Sequence, residues 1–345
     1  MAGEGAERPT RIWTDVDYAR DGRQVDWLHL PHSVTRSAYG TIAIPVAVVK
    51  NGVGKTALFT AGNHGDEYEG QVALCNLIRE LKPETIRGRV IILPALNLPA
   101  ALAGTRVSPI DGGNLNRSFP GSPDGTVTQQ IAHYVDSVLF PLADLFHDFH
   151  SGGGSLAYLP FASTHEGPDA EVNARGMAAL RNFAAPVSLH WRQGTDPRYS
   201  PGAAMKRGVA ALGGEFGGGG SLNRAGLAFA EEGLIRHLRF LGILPGGVPE
   251  PRPTRMMEVP DQACFVYAPD GGVFEPATGG VFEPATNIGD SVRKGDLCGR
   301  VHFVDDPARP PVPCFFKRDG IVVCQRHPAR CERGDCVAHL ALDVD

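Results

Sequence analysis

Short apolar runs alternate along the first two-thirds of the chain with stretches whose apolar residues recur every three or four positions. Residues 42–49, 57–61 and 90–93 are nearly continuous apolar runs bounded by turn residues, the pattern of strands buried on both faces. Between them Val72, Leu74, Leu77, Ile78 and Leu81 fall on roughly one helical face. Residues 126–139 repeat the pattern with Val127, Ile131, Tyr134, Val135 and Val138. Further strands are predicted at 143–149, 186–191 and 209–213, and further helices at 171–183 and 222–241, the last stopped by Pro245, Gly246 and Gly247. This order predicts an α/β fold in which helices flank a mixed central sheet.

The texture changes after residue 245. Residues 245–260 are rich in Pro and Gly and read as a linker. Beyond it come short β-like pieces at 263–268, around Val273 and Val281, and at 297–304, 312–317, 320–325 and 338–342. The expected organisation is a larger domain over 1–245, with 1–40 as an amino-terminal extension, and a smaller all-β domain over 246–345. One octet is written twice, residues 271–278 recurring at once as 279–286. A shift of eight preserves the two-residue alternation of a strand, so either copy can fill one β position while the spare copy loops out.

Composition narrows the classes of partner. With 42% hydrophobic residues, 21% charged residues and a net charge of −5, the chain reads as an ordinary globular protein without the basic cluster that nucleic acid requires. No apolar run reaches membrane-spanning length and no export signal opens the chain, so a soluble, cytoplasmic protein with no membrane partner is expected. Cys314, Cys324, Cys331 and Cys336 lie near the end with His327 and His339 among them. They lack a Cys-x-x-Cys pair and read as reduced structural thiols rather than a second metal site. The edges of the β-rich part leave room for a homo-oligomer.

The chemistry concentrates at four places. His64 and Glu67 lie three residues apart in a glycine-flanked turn after an apolar strand, where one imidazole and one carboxylate can bind the same Zn²⁺. A third ligand is expected where the strand at 143–149 runs into Gly152, Gly153 and Gly154. His147 and His150 compete for that role, and their odd spacing sends them to opposite faces of a strand. His150, the outer one, is favoured, with Asp148 on its own pleat face as the group that orients it. Glu215, bracketed by six glycines, is the candidate general base, since those glycines cost chain entropy unless the backbone must pass something closely. Arg117, supported by Asn116, can grip a substrate carboxylate through paired donors, and Arg106 can stabilise a developing oxyanion.

Together these residues resemble the aspartoacylase/succinylglutamate desuccinylase family, relatives of the zinc carboxypeptidases. The likeness rests on Gly62-Asn63-His64-Gly65-Asp66-Glu67, on the run from Asn114 through Asn116 and Arg117 to Gly121, on Asp148-Phe149-His150, and on Glu215-Phe216-Gly217-Gly218. They occur in the family's order over roughly residues 40–245. The resemblance implies one zinc ion on His64, Glu67 and His150, Glu215 as general base, and substrate contacts from Asn116 and Arg117. One departure is visible: the acidic residue of the family's D-L-N-R run is Asn114, which removes a charge next to Arg117. Within the family the motifs are most similar to the bacterial deacetylases that act on N-α-acetyl-L-2,4-diaminobutyrate. The expected activity is therefore zinc-dependent hydrolysis of a small N-acyl amino acid. A carboxypeptidase acting on peptides or cell-wall fragments and a zinc-stabilised binding scaffold stand as the rival readings.

Overall fold

The computed structural model describes residues 8–250, 252–269 and 280–344. Its amino-terminal part contains β1 (Gly22–Pro31), β2 (Thr41–Asn51), β3 (Thr56–Ala61), β4 (Gly88–Leu93) and β5 (Leu145–Phe149). It continues with β6 (Leu156–Tyr158), β7 (Phe161–His165), β8 (Val187–Trp191) and β9 (Ala210–Glu215). The helices are α1 (Glu69–Glu80), α2 (Leu98–Ala103), α3 (Val127–Tyr134), α4 (Ala170–Phe183), α5 (Ser200–Lys206) and α6 (Arg224–Phe240). Later strands are β10 (Arg255–Val259), β11 (Phe265–Tyr267), β12 (Gly280–Pro284), β13 (Ser291–Val292), β14 (Leu297–His302), β15 (Val312–Phe315), β16 (Gly320–Arg326), β17 (Arg330–Cys331) and β18 (Cys336–Asp343).

A 14-stranded sheet runs in the order β1-β2-β4-β3-β5-β9-β7-β8-β10-β18-β16-β13, with β11 and β6 attached to β18 and β16. Its centre, β4-β3-β5-β9, is parallel. That explains why these strands read as unbroken apolar runs, because both of their faces are covered. Leu58, Ile91 and Phe146 point into one core with Ile131 and Phe140, whereas Phe59, Ile92, Leu145 and Phe149 pack against Leu74, Leu77, Leu180, Phe183 and Leu234. A second, antiparallel sheet, β15-β14-β12-β17, completes the carboxyl-terminal part, whose buried face includes Cys298, Cys314 and Cys331.

Several segments differ from the sequence expectation, among them β6, β7, α2 and α5, none of which it contained. Residues 22–31, inside the expected extension, form β1 and pair with β2 over their whole length. Their outward Val25 and Trp27 are exposed, which blurred the alternation. Residues 255–259, inside the expected linker, form β10 and pair in parallel with β8. The helix expected over 126–139 starts with a capping box at Thr126, but it turns more widely over Val135–Leu139. The first copy of the duplicated octet lies outside the described residues, and the second supplies β12. Among the described residues no helix is long and apolar enough to cross a membrane.

Candidate active site

The parallel strands end side by side, and the loops at their carboxyl ends carry the polar residues, as the topology of open α/β sheets leads one to expect. β3 leads into the turn that holds His64 and Glu67, β5 into His150, and β9 ends on Glu215. The backbone of His150 is locked to β9: its N–H donates to the Gly214 carbonyl at 3.0 Å, and its own carbonyl accepts from Phe216 N–H at 2.9 Å. The register of β5 against β9 thus brings His150 and Glu215 together.

His64, Glu67 and His150 are buried, and their ligating atoms lie within 4.8 Å of one another. His64 Nδ1 is 2.7 Å from Glu67 Oε1, and His150 Nδ1 is 2.8 Å from Glu67 Oε2. Behind them, His64 Nε2 faces Asn114 Oδ1 at 3.1 Å and His150 Nε2 faces Asp148 Oδ2 at 3.0 Å. Acceptors behind both rings suit a proton on each Nε2 once a cation takes the two Nδ1 atoms, which converge on Glu67. The residues therefore fit a divalent cation, with two imidazoles and a carboxylate matching the ligand set of an open zinc site. His147, the rival ligand, points to the opposite face, where Nδ1 lies 3.1 Å from Nε2 of the buried His237.

Electrostatics follow from the packing. Burial alone would raise the Glu67 carboxyl, but His64 and then His150 hold it well below the usual carboxylate range. Asp148 is likewise kept low against its burial by the charge of His150, and by hydrogen bonds from His150, Ser200 and Thr60. Thr60 Oγ1 donates to it at 2.7 Å and Asn63 Nδ2 at 2.8 Å. Glu215 goes the other way: burial, then the negative charge of Glu67, push it up to about 8. Its Oε2 is enclosed with no protein partner among the described residues.

A cavity of about 580 Å³ opens onto this cluster, and Arg106, Asn116 and Arg117 line it with the three ligand candidates and Glu215. Arg106 Nη1 is 3.4 Å from His64 Nδ1. The Arg117 guanidinium is not held by the side chain of residue 114, which faces His64. Instead its guanidinium lies 4.0 Å over the Tyr199 ring, and Nη1 donates to the Asn116 carbonyl at 2.6 Å. Asn116 Oδ1 accepts from Ser200 N–H at 2.8 Å. Tyr199 and Ser200 were silent in the sequence, because they reach the site from the start of α5, far along the chain. Asp196, Tyr158, Trp191, Phe265 and Tyr267, also unremarked there, line the same cavity.

The glycines have two different reasons. A Cβ at Gly65 would come within 1.9 Å of the Ala100 carbonyl oxygen, so this residue beside His64 is small to admit the backbone of α2. Gly218 has φ +133°, and a Cβ there would meet Leu156 O at 2.1 Å, so the loop after Glu215 must pass the backbone of β6 closely.

Residues 53–241, more than half of the chain, match the succinylglutamate desuccinylase/aspartoacylase catalytic domain. The chain belongs to this family. It is a hydrolase acting on amide bonds. Over 342 residues, 99% of this chain and 98% of the relative, it is 40% identical to N-alpha-acetyl-L-2,4-diaminobutyric acid deacetylase of Halomonas elongata. The ectoine utilization protein EutE (DoeB) from Ruegeria pomeroyi, in its product-bound structure, is 42% identical, with a TM-score of 0.90 over 97% of this chain and 100% of that one. A succinylglutamate desuccinylase/aspartoacylase from Rhodobacter sphaeroides is 40% identical, with a TM-score of 0.89 over 97% of this chain and 100% of that one.

Proposed function

We propose that this family member is a zinc-dependent deacetylase that converts N-α-acetyl-L-2,4-diaminobutyrate to L-2,4-diaminobutyrate and acetate. The observation that carries the substrate is the end-to-end likeness to the Halomonas deacetylase, and the convergence of two imidazoles and a carboxylate beside Glu215 supports the chemistry. His64, Glu67 and His150 would hold the ion, whose contribution when bound is Lewis acidity towards a carbonyl and a water pKa lowered towards ~7.

The rest is the work of side chains. Glu215, beside the three ligand residues in the cavity, accepts the proton of the attacking water and passes it to the leaving α-amine. Arg106 faces the acyl oxygen as negative charge develops there. Arg117, stiffened by Tyr199, receives the α-carboxylate with Asn116 beside it, which fixes the amide in line for attack. Asp196, the carboxylate left among the described lining residues once Glu67 and Glu215 are assigned, takes the side-chain ammonium in exchange for part of its ion pair with Arg198.

The test is a panel. Zinc-loaded protein is incubated with N-α-acetyl-2,4-diaminobutyrate, N-acetylaspartate, N-succinylglutamate and peptides with a free carboxyl end, and free amine is followed. Fastest release from the first compound is expected. Preferential cleavage of peptides would replace this reading with that of a carboxypeptidase.

A further inference from the structure

The two histidines that converge on Glu67 are backed by groups of different charge. Behind His150 stands a carboxylate, Asp148 Oδ2 at 3.0 Å, itself buried and fixed by Thr60 and Asn63. Behind His64 stands a neutral amide, Asn114 Oδ1 at 3.1 Å. The amide's orientation follows from the metal reading: with a cation on His64 Nδ1, beside Glu67, the ring proton is on Nε2 and meets the Asn114 oxygen. Asn114 is held in turn through its backbone carbonyl, which accepts from Arg117 N–H at 3.0 Å and Ser118 Oγ at 2.7 Å.

A carboxylate that accepts an imidazole N–H draws the proton towards itself and strengthens the opposite nitrogen as a donor to a cation; a neutral carbonyl does so less. Of the two imidazoles, His150 is therefore the stronger ligand and His64 the weaker.

We propose that Asn114 is the positioning residue for His64 and that its lack of charge sets the affinity for the divalent cation below what the same three ligands could reach. This rests on the reading that His64, Glu67 and His150 hold zinc, and the experiment separates the two claims. Protein stripped by chelator is titrated with zinc in competition with a chromophoric chelator, for wild type, Asn114→Asp, Asn114→Leu and Asp148→Asn, with the melting temperature of each metal-free protein as a folding control.

One zinc per wild-type chain supports the metal reading, and none would end both claims. Outer partners of this kind typically change affinity by ~10–100-fold. Asn114→Asp is expected to tighten zinc by about tenfold, whereas Asn114→Leu and Asp148→Asn loosen it by at least as much. Opposite signs at one position mark an electrostatic role, since a purely structural one predicts that Asp and Leu both weaken binding. Equal affinities within twofold, or weaker binding by Asn114→Asp, would overturn the proposal. Should Asn114→Leu fail to fold, the Asn114→Asp and wild-type pair decides it alone.

Discussion

Glu215→Gln exchanges one oxygen for an amide nitrogen at the end of β9 without changing volume, so it separates chemistry from packing. Two effects of opposite benefit are expected. Loss of the proton acceptor lowers kcat by ~10²–10⁴-fold, or ~3–5 kcal/mol in the barrier. In zinc-free protein the same change stabilises the fold. Burial and Glu67 raise the Glu215 carboxyl from 4.5 to about 8, so between those values the folded chain keeps a proton that the unfolded chain has released. The group's penalty is absent below pH 4.5, grows as pH rises, and is complete above 8. At ~1.4 kcal/mol per pKa unit its ceiling is on the order of 5 kcal/mol, and partial exposure of the residue reduces this to a few. Glutamine carries no such penalty. Urea unfolding of the chelated proteins should show nearly equal stability at pH 5 and a more stable variant at pH 9, by about 2–4 kcal/mol on the same arithmetic. Zinc should shrink the gap, because a cation favours the ionised carboxylate. A variant no more stable than wild type at pH 9, or one that keeps more than a tenth of kcat, would refute the assignment.

His64→Ala should reduce bound zinc from one per chain to a small fraction, measured by elemental analysis after gel filtration, whereas Glu215→Gln should keep it. Asp196→Asn should raise KM about tenfold for N-α-acetyl-2,4-diaminobutyrate while leaving N-acetylalanine within twofold, as expected for one charge-assisted contact; equal losses on both would remove Asp196 from side-chain recognition. Acid should unfold the protein cooperatively. Burial depresses His237 and His339 to about 3 and His147 well below its usual value, so all three stay neutral when folded. Their contribution is complete above the unfolded value near 6.5 and is lost as pH falls towards 3, at ~1.4 kcal/mol per pH unit per histidine. His339 is stacked between Trp191 and Phe265 and neither ring nitrogen has a partner among the described residues. His339→Phe should therefore flatten the pH dependence between 4 and 6 by one such increment, and an unchanged slope would count against it.

Much of the fold was written locally. The parallel core strands had to be continuous apolar runs, since both faces are covered, and helices α1, α4 and α6 showed their buried faces as three- and four-residue spacings. The segments that escaped did so for identifiable reasons. β1 turns Val25 and Trp27 outward, β10 is only Arg255–Val259 and follows a Pro-rich stretch, and β6 depends on pairing with β16, far along the chain. The candidate site divides in the same way. His64 and Glu67 share one turn and Asp148 precedes His150 by two, so their relation follows from spacing alone. The support of Arg117 by Tyr199 and the approach of Asp196 cross between distant segments and leave no local periodicity.

The sequence by itself determined which donor atoms this protein owns, which strand ends carry them, and that His147 and His150 face apart, because a strand alternates its side chains strictly. Only the tertiary structure decided what stands behind His64. A hydrogen-bond acceptor such as Asn114 Oδ1 is chosen by a few tenths of an ångström between loops 50 residues apart, and no local pattern of polar and apolar residues encodes that distance.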